Sequence, residues 1–163
     1  MIYVANTTPI ISLASINRLD ILENLFGKII IAEAVYNEIK AKQSYGFHEI
    51  DSAFIEVQQI KGHLYKDFLL KELDLGETET IMLAKEINAD FVIIDENLGY
   101  RIANNVGLTA IRTLSILLKA KEKGQISQIK PLLDEMIKKG RWYSDAVYHA
   151  CLLRAGETIN HGH

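Results

Sequence analysis

Residues 90–108 read DFVIIDENLGYRIANNVGL. The run DFVIID (90–95) is continuously apolar between its two acids, without alternation. That pattern marks a strand covered on both faces, as in a parallel sheet. The stretch that follows, ENLGYRIANNVG (96–107), reads as a helix ending at Gly107. An acid that closes such a strand stands where the chain leaves a buried sheet, so Asp95 and Glu96 are the first residues to weigh.

Working outward, two more segments have the same buried-strand character, IYVA (2–5) and KIIIA (28–32). LTAI (108–111) is a shorter fourth strand, and FIEVQQI (54–60) alternates imperfectly, as an edge strand does. Helical patterns fill the gaps. TPIISLASI (8–16) has a Thr in capping position and Pro in its first turn. RLDILENLF (18–26) stops at Gly27, and AEAVYNEIKAK (32–42) follows the second strand. GETETIMLAKEIN (76–88) carries acids in its first turn, where the helix dipole favours them. RTLSILLKAKEKG (112–124), IKPLLDEMIKKG (129–140) and SDAVYHACLLRAGE (144–157) complete the set. Strands alternating with helices over short connections predict an α/β fold, a three-layer α/β/α sandwich on a mainly parallel twisted sheet.

The bulk numbers exclude several classes. The 163 residues are 48% hydrophobic and 24% charged, an ordinary globular balance. They suit a single domain over residues 1–157, with TINHGH (158–163) as a frayed tail. Net charge is −3, so no overall basic field announces nucleic acid, and such a partner needs a local patch or metal ions. No apolar run approaches the roughly 18 residues of a membrane span. Cys151 is the sole cysteine, and with no signal peptide the expected location is cytoplasmic.

In a doubly wound sheet, ligands bind beyond the carboxyl ends of the strands, at the topological switch point. After the first strand stand Asn6, Thr7 and Thr8; after the strand at 90–95 stand Asp95 and Glu96; Glu38 lies in the helix after the second strand, and Glu77 and Glu79 open a helix of their own. Crowded carboxylates repel unless a proton or a hard cation intervenes. Mg²⁺ and Mn²⁺ accept oxygen ligands, keep waters and need only one or two direct carboxylates. The chemistry implied is metal-assisted hydrolysis of a phosphate ester. Plainer readings compete. Glu38 among Lys40 and Lys42 fits a solvated face, and Asn6 fits a helix cap. Glu77 and Glu79 point roughly 200° apart around a helix axis, so both cannot face one cleft. Arg101 is a surface arginine or a phosphate contact. KKGRWY (138–143) could grip RNA by charge and stacking, or pack as a corner between the last two helices.

The order of these motifs resembles a PIN domain, the fold of many metal-dependent ribonucleases, including the VapC-type toxins of toxin–antitoxin pairs. The resemblance rests on ANTTPII, on Glu38 in AVYNEI, on Glu77 in GETETIMLA and on Asp95 in FVIIDE, and it extends over NTTPIISLASINRLDIL, IIDENLGYRIANNVGL and RTLSILLKAKEKGQI to the final YHACLLRAGE. It covers about residues 1–157. Glu77 stands seven residues before Ala84 and eighteen before Asp95, as the family pattern asks of its third acid; Glu79 meets neither count and is left as an outer-shell group or replacement ligand.

The resemblance implies an Mg²⁺- or Mn²⁺-dependent endoribonuclease, a homodimer, acting on RNA and held inactive by a small antitoxin. It implies Asn6, Glu38, Glu77 and Asp95 as catalytic and metal-holding residues, with Thr7, Glu79, Glu96 and Arg101 as secondary candidates. Asn6 departs from the family, which usually has Asp there. The amide keeps an oxygen acceptor and loses a charge, so metal affinity should fall. The alternative is a catalytically weak or inactive PIN-like module that binds nucleic acid or protein. A different phosphate-ester hydrolase would more usually carry Asp-x-Asp after its first strand, and ANTT lacks it.

Overall fold

In a computed structural model, which describes residues 1–157, five strands form one all-parallel sheet. They are β1 (Tyr3–Ala5), β2 (Ile29–Ala32), β3 (Ile55–Gln58), β4 (Phe91–Ile93) and β5 (Ala110–Ile111), in the order β3-β2-β1-β4-β5. All five lie within the segments read as strands. FIEVQQI supplies an edge, as its weaker alternation implied, and β5 supplies the other. The tail at 158–163 lies outside the described residues.

The helices are α1 (Thr7–Ser15), α2 (Asp20–Phe26), α3 (Glu33–Lys40), α4 (Lys66–Leu69), α5 (Leu75–Glu86), α6 (Asn97–Asn105), α7 (Thr113–Glu122), α8 (Lys130–Lys138) and α9 (Asp145–Arg154). Helix α3 packs on α1 and α5, whereas α7 packs on α2 and α9, which gives the outer layers of an α/β/α sandwich. The central strands are buried apart from the half-buried Phe91; Val4, Ala5, Ile29, Ile31, Val92 and Ile93 have no accessible surface. Burying each large aliphatic side chain contributes about 1.5–3 kcal/mol, which is why unbroken apolar runs become central strands. Tyr3 stacks on Phe26 of α2 at 4.1 Å and on Phe91 at 5.3 Å, clamping β1, α2 and β4 together. Among the described residues no helix is long and apolar enough to cross a membrane.

Three local expectations are corrected. The cap of α1 is Asn6, not a Thr, and its side chain makes no capping hydrogen bond. Helix α5 begins before Gly76: Asp74 caps it, accepting from Glu77 N at 2.7 Å while Glu77 Oε1 accepts from Asp74 N at 3.1 Å. Asp-Leu-Gly-Glu is a capping box with Asp in place of the usual Ser or Thr. Helix α4 and a 3₁₀ turn over Glu49–Asp51 lie on either side of β3, in two stretches where no element was expected.

The strand order sets the site. From β1 the chain steps outward to β2 and β3 on one side and to β4 and β5 on the other. The switch point is therefore between β1 and β4, where Asn6 N donates to Ile93 O at 2.9 Å. Helix α5 precedes β4 and packs across β1, β2 and β4, so its first turn returns to the carboxyl edge of the sheet.

Candidate active site at the β1–β4 switch point

Asn6 leaves β1 buried, 3% exposed, and turns its side chain across the switch point. Its Nδ2 donates to Glu96 Oε2 at 3.3 Å, and its Oδ1 accepts from Thr80 Oγ1 of α5 at 3.4 Å. Thr8 Oγ1 also donates to Glu96. Glu96 thus bridges the start of α1, on the β1 side of the switch point. Thr7 Oγ1 is buried without a hydrogen-bond partner among the described residues. It and Asn6 Oδ1 each lie 3.5 Å from where a side chain at Gly76 would begin, so the start of α1 and the start of α5 meet there.

Glu77 closes this pit from the α5 side and is 7% exposed. Its Oε1 is held by the capping box, whereas Oε2 lies against the first turn of α6, 2.9 Å from a Cβ built on Gly99. Burial, opposed by the Asp74 N–H and reinforced by the charges of Asp74 and Glu96, pushes the Glu77 carboxyl up to about 7. It therefore keeps its proton to higher pH than an ordinary glutamate does, in a setting that any added positive charge would relieve. Gly99 permits the close approach: a Cβ there would also lie 2.6 Å from Ile94 Cδ1. Gly99→Ala is expected to destabilise the fold by about 1–3 kcal/mol through overpacking, despite the better helix propensity of Ala. A urea melt measures it, and an unchanged midpoint would contradict the packing described.

Asp95 takes the other side of the strand end. Its Oδ1 accepts from Thr113 N and its Oδ2 from Thr113 Oγ1, both at 2.8 Å, at the start of α7. Arg141 Nη2 reaches Oδ2 at 3.3 Å, and Arg112 Nη1 donates to the Asp95 carbonyl at 2.8 Å. Arg112 also lies over the Tyr100 ring, 4.1 Å from its centroid. Asp95 therefore pins β4 to α7 and to the loop before α9.

The remaining sequence candidates make no hydrogen bond to these residues among the described ones. Glu38 is exposed on α3 and Arg101 is exposed on α6, and no side-chain hydrogen bond or ion pair holds either among the described residues. Glu79 is buried but faces away from the pit: its Oε1 accepts from Ala34 N at 3.1 Å and its Oε2 pairs with Lys66 at 3.3 Å. The structure thus gathers Asn6, Thr7, Glu77 and Glu96, with Asp95 on the other side of the strand end; Glu79 is taken up by Ala34 N and Lys66, and Glu38 and Arg101 stand exposed on α3 and α6. Among the described residues no group of three or more His, Cys, Asp or Glu side chains is placed to hold a metal ion.

A sequence model described as a PIN domain matches residues 2–157. The chain belongs to the PIN-domain family. No curated protein matches it. Membership makes it a PIN-type, nuclease-like module, and PIN domains typically use divalent metal ions. The donor set of this PIN domain suits such an ion in kind. Glu77, Glu96 and Asn6 Oδ1 offer hard oxygens, and one or two carboxylates with waters satisfy Mg²⁺. The Glu77 carboxyl is raised chiefly by its burial, with a smaller contribution from the charges of Asp74 and Glu96, and a cation beside it would favour its charged form.

Several participants escaped the sequence reading. Asp74 was detectable from its capping-box spacing to Glu77. Thr80 is one turn further along α5 on the same face, and its spacing to Glu77 offered a weaker hint. Arg112, Thr113 and Arg141 carried no local signal, because they reach Asp95 through the tertiary fold.

Proposed function

We propose that this PIN domain is an Mg²⁺- or Mn²⁺-dependent endoribonuclease, the toxin of a toxin–antitoxin pair, working at the β1–β4 switch point. The observation that carries the reading is the buried Glu77 carboxyl, raised to about 7 beside Glu96 and Asn6, in a chain that the family covers almost from end to end. Glu77, Glu96 and Asn6 would hold the ion. Asp95 and Glu38, implied by the family likeness, belong to the same reading as flanking groups. When bound, the ion supplies Lewis-acid activation of the phosphodiester and of the attacking water.

The chain's own residues have separable tasks. Glu77 holds a proton near neutrality and must give it up for a cation to enter, so affinity for the ion rises as pH passes through about 7. Asn6 and Thr8 fix the Glu96 carboxylate by hydrogen bonds from both sides. Asp95 keeps the start of α7 and Arg141 against the strand end. Arg112 and Arg141 bring positive charge to the rim, where a phosphate would arrive. A small antitoxin and a second copy of the chain are the proposed protein partners. Support for protein partners comes from an open apolar cleft of about 540 Å³ beside α4 and α5, where Leu64, Tyr65 and Phe68 are 73%, 69% and 70% exposed.

The test is cleavage of single-stranded RNA with Mn²⁺ by the chain freed of any antitoxin, beside Glu77→Gln. Mn²⁺-dependent cutting that the substitution abolishes is the expected result; no cutting by either protein overturns the enzyme reading. A second reading, a binding module with a decayed site, is favoured by Asn6 itself. Asn6→Asp distinguishes the two. If Asn6 is a working ligand, the added charge changes cleavage by less than about tenfold. Emergence of activity from an undetectable level marks a decayed site.

A further inference from the structure

Gly140 has φ +113° and turns the chain back after α8, and Arg141 then anchors the loop. Its Nη2 pairs with Asp95 at 3.3 Å, its Nη1 donates to the Trp142 carbonyl at 2.9 Å, and its guanidinium lies 4.4 Å from the centroid of the Tyr143 ring. Tyr143 is half-buried, and burial pushes its phenol up. Trp142 is the exception in this fixed loop. It is 74% exposed, makes no ring contact among the described residues and is the only tryptophan in the chain. The corner expected from KKGRWY is thus built by Arg141 and Tyr143, while the largest side chain stands outside it.

The surroundings of Trp142 suit an anion with a flat face. Residues 138–141 carry three positive charges, of which Asp95 offsets that of Arg141, in a chain of net charge −3. Lys138 and Lys139 are exposed, and Lys139 meets Glu135 only at 3.8 Å. An exposed ring on a clamped backbone, with two exposed lysines just before it in the chain, differs from a contiguous apolar patch, which would suit a protein partner. Exposed aromatics beside a cationic track are how proteins hold single strands, because every base offers a π face. Bases in a duplex are already stacked and out of reach.

We propose that Trp142 is a stacking platform for an unpaired base of single-stranded RNA, with Lys138 and Lys139 contacting neighbouring phosphates, and that this positions the strand at the pit. The Arg141–Asp95 pair ties the platform to the strand end. This deepens the ribonuclease reading and rests on it for the strand's identity, but it is measurable as binding alone.

The test uses the full chain without divalent ions and an oligouridylate of about ten nucleotides. The sole tryptophan makes intrinsic emission a direct readout. The expected result is quenching of that emission in the native chain and, read by the anisotropy of a fluorescently labelled oligonucleotide, about tenfold weaker binding by Trp142→Ala and near-normal binding by Trp142→Phe. An abasic oligonucleotide should bind both the native chain and Trp142→Ala equally, and duplex RNA should leave the emission unchanged. Unaltered affinity in Trp142→Ala, or emission that single-stranded RNA does not change, overturns the proposal. Emission that depends on protein concentration alone also overturns it, by marking the ring as a contact between copies. Quenching with no Mn²⁺-dependent cutting would leave the platform standing and remove the nuclease. Cutting with unchanged KM in Trp142→Ala would do the reverse.

Discussion

Glu77→Gln should eliminate metal-dependent RNA cleavage and, at about pH 8, make the protein more stable. The two effects have one cause. The Glu77 carboxyl is raised from the ordinary 4.5 to about 7, first by burial and then by the charges of Asp74 and Glu96. An acid raised in the folded state binds more protons folded than unfolded between those two values. Its contribution to stability is full below about pH 4.5 and is lost as pH rises through about 7. After allowance for screening by solvent, the loss is about 1–2 kcal/mol, or about 2–8 °C in melting temperature for a chain of this size. Gln carries no charge to bury, so the loss disappears in the variant. Thermal melts of both proteins at about pH 5 and pH 8 check it. A native protein that melts at the same temperature at both, or a Gln variant that is less stable at the higher pH, would contradict the buried charge. Mg²⁺ or Mn²⁺ should recover part of the lost stability in the native chain and none in the variant.

Asp95→Ala is expected to have the largest effect on stability. The Asp95 side chain is 4% exposed and takes hydrogen bonds from Thr113 N, Thr113 Oγ1 and Arg141 Nη2. Truncation leaves these donors without their acceptor and Arg141 without its counter-charge. Breaking such a pair from one side costs about 3–5 kcal/mol, which lowers the melting temperature by about 6–20 °C. A double variant, Asp95→Ala with Arg141→Met, should regain part of this, because the stranded cation is gone. Calorimetry of the three variants gives the coupling. A loss below about 1 kcal/mol for Asp95→Ala would mean that the Thr113 and Arg141 contacts do not hold the strand end.

The sheet was legible because burial on both faces leaves a direct trace. FVII, KIIIA and IYVA cannot alternate when helices cover both sides, and the weaker LTAI and FIEVQQI became the edges. The region before Leu75 was not legible. Its helix α4 has no buried residue, so no apolar period marks it. At the site, Glu77 stood out by spacing, but the division between Asp95 and Glu96 did not. These neighbours leave the strand in opposite directions, Asp95 toward α7 and Glu96 toward α1, and only the order and register of β1, β4 and β5 decide which joins Glu77. Asn6 could be read as a cap or as a wall of the site. It is both, at the N-cap position by backbone and turned to Glu96 and Thr80 by side chain. Arg141 reaches Asp95 across 46 residues of chain, a contact that no local pattern carries.

The central claim is that one divalent ion sits among Glu77, Glu96 and Asn6. Mn²⁺ binding followed by electron paramagnetic resonance at about pH 8, on the native chain, Glu77→Gln and Glu79→Gln, tests it most directly. The account predicts one Mn²⁺ per native chain, the same in Glu79→Gln, and none in Glu77→Gln. Equal binding by the native and Glu77→Gln proteins would contradict it.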